Sequence, residues 1–311
     1  MSLVLNEKYP KGSNGLFFKN RVLKIYPVYW LTLCLLIIAS LFIYFTGHPG
    51  TISYYAETPL SISTYLFFIF INLFIVGYDL CYFFNIKNGH LAYTENFGNS
   101  YLFGFNSIGW TISLELIFYV IAPFILRKSM KLIVTLLLVS LAIRIMLTLN
   151  GLSDAPWNYM FFPTQIMFFM AGNLAYRLYN YIKANPLPIY LLKVQYGILL
   201  IIIAMYSYLG DNSYYLQSFL FIALTALIPA SFQLTKNSKV DRYFGNLSYP
   251  LYISQYIVIT FTVSKKFPKV LGIGFTTLLI AIILSIFIYE FVSKRIEKQR
   301  QKPFKKVLKY N

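Results

Sequence analysis

A carboxylate deep in an apolar stretch is the first feature of this sequence that asks for a chemical reason. Glu115 stands about seven residues, roughly 10 Å at helical rise, inside the apolar run 108–126. An ionised group there is costly unless it meets a partner or a wet cavity. Thr111, Glu115 and Tyr119 recur at i, i+4 and i+8, so one helical face carries a hydroxyl, a carboxylate and a phenol, while Ser113 points elsewhere. Such a face can orient a hydroxyl-bearing substrate or balance a developing charge. The ordinary alternative is a structural ion pair, for which Arg144 on the next apolar run is the obvious partner.

Arg21 and Lys24 lie three apart just before the apolar run 25–46 and share a helical face. They can be topology-setting charges, or a cationic platform for a phosphate-bearing cytosolic ligand through charge-assisted hydrogen bonds. Tyr29 and Trp30 follow as an aromatic belt, with Pro27 expected in the first helical turn, where the absent N–H costs nothing. A third polar block, 245–256, is read as opening another span, with Pro250 in its first turns and Ser248, Ser254 and Gln255 as hydrogen-bonding groups. His48 and His90 fall in loops with no carboxylate at catalytic spacing, and no nucleophile elbow, phosphate loop, dinucleotide fingerprint or metal-ligand cluster is present in the sequence.

The elements that must position these groups follow from composition. Of 311 residues, 58% are hydrophobic and 12% charged, at a mean hydropathy of +0.62. That is too little polar surface to cover a soluble globule, so a bilayer is the expected solvent. The net charge of +17 sits between apolar segments rather than in an aromatic-interleaved basic domain, which argues against nucleic acid. Cys34 and Cys81 lie inside apolar runs and read as buried hydrophobes. No segment of signal-peptide form is visible at the amino terminus, so the first span is expected to act as the insertion signal.

Eight runs approach spanning length: 25–46, 108–126, 132–149, 158–176, 188–209, 215–234, 247–263 and 270–291. A ninth, 63–84, must be judged by charge. If it does not cross, most of the 27 basic residues fall on one side and only Lys265, Lys266 and Lys269 lie clearly on the other; if it crosses, every later loop inverts against the positive-inside rule. The expectation is therefore an all-α polytopic transmembrane helical bundle of about eight spans with 63–84 re-entrant or interfacial. Both termini are expected to be cytoplasmic, and Asn85–Asn106 irregular and external. Residues 1–293 read as a single membrane domain and 294–311 as a polybasic cytoplasmic tail drawn to anionic lipid.

Three blocks taken together, from Phe17 through Arg21, Lys24 and Pro27 to Trp30, from Gly109 through Trp110, Ser113 and Glu115 to Tyr119, and from Gly245 through Ser248, Tyr249 and Tyr252 to Gln255, resemble the bacterial membrane acyltransferase-3 family. The resemblance runs from about residue 15 to 297. It implies an O-acyltransferase, of the class transferring groups other than amino-acyl groups, that moves an acyl group, usually acetyl, from cytosolic acyl-CoA to a hydroxyl of a surface or exported polysaccharide. The family's Arg-x-x-Arg block looks like Arg21 and Lys24, its Trp-Ser-x-Ser-x-Glu block like Trp110, Ser113 and Glu115, and its Ser-Tyr-x-x-Tyr block like Ser248, Tyr249 and Tyr252.

On this basis Glu115, Ser113 and Tyr119 are expected to be catalytic, Arg21, Lys24, Tyr29 and Trp30 to hold the acyl-CoA, and Trp110, Ser248, Tyr249 and Gln255 to meet the acceptor. No metal and no permanently bound cofactor are expected, and the bacterial cytoplasmic membrane is the expected site. Two departures stand out. Family members normally begin with two further spans carrying an arginine and a histidine thought to be catalytic, which have no counterpart here, so the expectation is a catalytic front end supplied elsewhere, another polypeptide being one source, or an inactive chain. Gln255 stands where the family often has histidine and cannot accept a proton near neutral pH. The rival readings are a transporter or flippase for a lipid-linked glycan and a non-catalytic membrane subunit.

Overall fold

The computed structural model describes residues 1–10, 12–205, 214–262 and 272–307, and the side chains of these except 214–217 and 301–307. In chain order the helices are α1 (Ser2–Lys8), α2 (Asn14–Phe45), α3 (Thr51–Glu57), α4 (Ile62–Phe74), α5 (Gly109–Ile125) and α6 (Met130–Leu149), then α7 (Phe162–Ala184), α8 (Ile189–Met205), α9 (Tyr214–Thr235), α10 (Lys239–Thr262), α11 (Gly272–Ile288) and α12 (Lys294–Val307). Each of the eight expected runs overlaps one of these helices, with 206–209, 263 and 270–271 lying outside the described residues. Among the described residues four helical stretches, Asn14–Phe45, Met130–Leu149, Ser218–Thr235 and Gly272–Arg300, are long and apolar enough by themselves to cross a membrane. Helices α5 and α8 are apolar but shorter, and α7 and α10 carry polar groups along part of their length. Large apolar side chains such as Ile38, Phe42 and Phe45 on α2 point outward, which suits a lipid solvent and would be a liability in water. The molecule is a helical protein of membrane type.

Both prolines expected in first turns sit well inside their helices. Helix α2 begins at Asn14 and α10 at Lys239, so Pro27 and Pro250 each remove an interior hydrogen bond. The sequence reading placed the helix starts at the onset of apolarity; the structure extends both helices through the preceding polar residues. Run 63–84 does not form one helix. The 13 residues of α4 reach only about 20 Å, short of a hydrocarbon core of about 30 Å. It ends where Ile75 and Gly77 adopt left-handed φ of 68° and 83°.

The segment expected to be irregular contains a two-stranded antiparallel hairpin, β1 (Phe84–Lys87) and β2 (His90–Tyr93). Its turn is Asn88-Gly89, both at positive φ, the signature of a tight hairpin that the sequence reading passed over. The fold is therefore not purely helical. Tyr78 is fully buried, and Gly104 is required beside it because a Cβ would sit 1.8 Å from the Tyr78 hydroxyl.

The chain divides into two compact units. The first comprises 1–12, 122–143 and 166–245, with α8 packed on α9 and a small core of Ile182, Leu192 and Ala230. Arg127 donates through Nη2 to the carbonyls of Leu5 at 2.8 Å and Tyr9 at 2.5 Å, and Asn173 donates to the Leu126 carbonyl and the Ser2 hydroxyl. Arg177 donates from Nε to Asn173 at 2.8 Å and from Nη2 to the Lys128 carbonyl at 2.6 Å. The second unit comprises 13–121, 144–165 and 246–311. It contains every candidate site residue named from the sequence. The lysines at 265, 266 and 269, which bear on the outer loop, lie outside the described residues.

Candidate functional site

Within the second unit, the amino-terminal half of α2 and the body of α5 bring the expected groups into register. Tyr119 is buried and donates its phenolic hydrogen to Glu115, one turn earlier on α5, which is half-buried. Arg21 on α2 is also buried, at 6% exposed, and its guanidinium lies 5.2 Å from the Phe17 ring centroid and 5.3 Å from that of Tyr119. The two rings meet edge to face at 6.2 Å. A guanidinium over aromatic faces is held by their quadrupoles. The Arg21 Nε is buried and has no hydrogen-bond acceptor. Lys24 is exposed and lies within electrostatic reach of Arg21, Glu115, Arg300 and Glu297. Arg21 and Lys24 thus differ: one is sunk into the packing beside Tyr119, the other stands open.

Glu115 and Arg144, the alternative partner, each have other contacts. Glu115 takes its hydrogen bond from Tyr119, whereas Arg144 donates to the Asn158 carbonyl at 2.9 Å and lies 6.0 Å from the Tyr159 ring. Thr111, at the start of the same face, donates to the Ile108 carbonyl and meets the Tyr252 hydroxyl at 2.5 Å. That contact joins α5 to α10. Tyr249, one turn before Tyr252, donates to the Ile25 carbonyl at 2.9 Å and ties α10 to α2 beside both interior prolines.

Other expected site residues have structural partners. Ser113 is fully buried on the opposite side of α5, donating to Asp79 at 2.5 Å and accepting from the Gly77 N–H at 3.0 Å. It thereby pins the turn after α4. Tyr29 and Trp30 likewise cap α4: Tyr26, Tyr29 and Trp30 donate to the carbonyls of Phe74, Asn72 and Leu73, at 2.7, 2.5 and 2.9 Å. Terminal carbonyls of a helix lack intrahelical donors, and three aromatic side chains of α2 supply them here. The Asn72 side chain completes the join, donating to Phe68 and Phe103 and accepting from the Phe105 N–H. Trp110 and Gln255 are half-buried, and Ser248 is exposed.

Asp79 is the acidic group that the sequence reading missed. It is 5% exposed, and burial raises its carboxyl above the usual range while the Ser113 hydroxyl draws it back. The available signal was a lone acid within run 63–84. Arg300 was also missed as a site neighbour, because the tail was read only as lipid-attracting charge. Among the described residues no group of three or more His, Cys, Asp or Glu side chains is placed to hold a metal.

These blocks and the helices that carry them accord with the comparison against known families. A family model described as an acyltransferase domain, acyltransferase-3, matches residues 3–290. The chain belongs to the acyltransferase-3 family. No curated protein and no solved structure matches it. Membership makes it an acyltransferase-type membrane protein, and the match takes in α1 and the stretch before residue 15, beyond the blocks from which the resemblance was read.

Proposed function

We propose that this acyltransferase-3 protein transfers an acyl group, acetyl in the simplest case, from cytosolic acyl-CoA to a hydroxyl of a surface or exported polysaccharide. The observation that carries the reading is the Arg21, Tyr119 and Glu115 chain: a buried guanidinium with an unused donor, stacked on a phenol that itself holds a half-buried carboxylate. Arg21 and Lys24 bind phosphates of the donor, because guanidinium and ammonium groups make charge-assisted hydrogen bonds to phosphate oxygens. Glu115 fixes the Tyr119 hydroxyl and balances the cations. The spare donor of Arg21 is what a structural stacking role alone leaves unexplained.

In the transfer itself the acceptor oxygen bonds to the acyl carbon and the carbon–sulfur bond of the thioester breaks. CoA leaves as the thiol once the acceptor's proton has been removed and passed on. Glu115 and Tyr119 act on orientation and charge. No side chain of this cluster is assigned as the general base, since Gln255 is an amide and His48 and His90 lie in the 46–50 segment and on β2, outside it. The chain lies in the bacterial cytoplasmic membrane with eight spans and both termini in the cytoplasm, an orientation that places most basic residues inside. The Tyr29 and Trp30 donors are occupied by α4, so their contribution to donor binding is through ring faces and the shape of the α2 mouth.

The test uses full chain in membranes with radiolabelled acetyl-CoA and cell-envelope glycan. Label in the glycan that is lost in Glu115→Gln at unchanged protein level supports the reading. Glycan acetylation that is unchanged by that substitution while glycan export alters overturns it in favour of transport.

A further inference from the structure

The basic carboxy-terminal segment is more than a strip of charge facing lipid. Helix α12 continues from α11 through a π-helical turn, Tyr289–Ser293, and both the turn and α12 pack against α2. A π turn inserts an extra residue, and each residue turns a helix by about 100°, so this turn decides which face of α12 meets α2. Arg300 lies on α12 within electrostatic range of Lys24 on α2. Its side chain is only 15% exposed, where a residue attracted to headgroups would be open.

Arg300 pairs with Glu297 one turn earlier through Nη1, which orients the guanidinium, while its Nε is buried with no acceptor. Arg21 repeats the pattern: a buried guanidinium held on its ring faces, with Nε unpaired. Lys24 lies within reach of both arginines and of both acids, Glu115 and Glu297. Three cations and two carboxylates thus lie within electrostatic range of one another where α12 packs on α2, one acid engaged by Tyr119 and the other by Arg300 itself. A buried donor without an acceptor costs about 1–3 kcal/mol. Two such donors among these cations suit an anion with several oxygens.

We propose that Arg300 is the third cation of a phosphate site shared with Arg21 and Lys24, and that α12 clamps the phosphate groups of the acyl donor against α2. This rests on the acyl-CoA reading above and adds to it a residue from the tail. The ligand class is a phosphate ester; the competing source of the same chemistry is an anionic lipid headgroup.

The experiment measures coenzyme A binding by calorimetry with the full chain in nanodiscs, in neutral phosphatidylcholine and separately in phosphatidylglycerol. In neutral lipid Arg300→Ala weakens binding about tenfold or more, and Arg300→Lys, which keeps charge but loses the planar fork, recovers part of it. Glu297→Gln weakens binding less, because it removes only the group that orients Arg300. A wild-type chain that binds coenzyme A, with Arg21→Ala losing it and both Arg300 variants binding within twofold of wild type, overturns the clamp and leaves the acyl-CoA reading standing. A folded wild-type chain that binds no coenzyme A overturns both. An Arg300 effect confined to phosphatidylglycerol assigns the residue to lipid and overturns the proposal.

Discussion

Two arginine pairs in this protein look alike in sequence and differ in what their donors do. In the first unit, Arg127 and Arg177 give N–H groups to the carbonyls of Leu5, Tyr9 and Lys128 and to the Asn173 side chain. In the second, Arg21 and Arg300 are comparably sheltered, yet each keeps a buried Nε without an acceptor. The first pair closes a network that joins α1, the 126–129 turn and α7. The second leaves a network open. Positive charge near a helix end is thus no guide to function by itself; the informative quantity is the number of donors left over after the protein's own acceptors are used.

The largest expected effect crosses the two pairs. Arg21→Ala is expected to reduce acyl transfer at least hundredfold while moving the thermal midpoint in detergent only slightly, since cation–π contacts contribute about 0.5–2 kcal/mol. Arg127→Ala should do the reverse. It strips a shared donor from two carbonyls, so stability should fall by about 3 kcal/mol and coenzyme A affinity per folded molecule should hold. Equal stability losses in both variants would erase the distinction between the pairs.

Next in size is Ser113→Ala. It leaves the Gly77 N–H and the Asp79 carboxyl without their partner, so denaturation should show a loss of about 1–3 kcal/mol. That loss should grow as pH rises. The buried Asp79 carboxyl titrates above its unfolded value, so its ionisation in the folded state costs stability, and the serine hydroxyl is what eases the charged form. Tyr29→Phe deletes one of three donors to the α4 carbonyls and should cost about 1 kcal/mol. Lys128→Ala, in the first unit, should shift stability by no more than about 0.5 kcal/mol, because the network uses that residue's carbonyl and not its ammonium.

Much of this was legible in the residues. Apolar runs located the helices, since a 3.6-residue coil must satisfy its own backbone when lipid surrounds it. The i, i+4 spacing of Glu115 and Tyr119 put them in contact, because adjacent turns of one helix share a face whatever lies around it. The three short blocks led to the family. The Asn88-Gly89 pair is a hairpin signal in the sequence itself, inside a stretch whose polarity alone suggests an irregular loop.

What the tertiary structure alone decided is the partner of each side chain. Nothing in the spacing of Tyr29 and Trp30 says that they cap α4, or that Ser113 holds Asp79 and Gly77 from 34 and 36 residues away. Nor could sequence show that Arg144 turns to Asn158 or that Arg300 reaches the neighbourhood of Lys24. Local geometry follows from bonds between neighbours in the chain, which the order of residues encodes directly. A hydrogen-bond ledger closes only when remote segments are docked, and the donors it leaves unspent are where a ligand can bind.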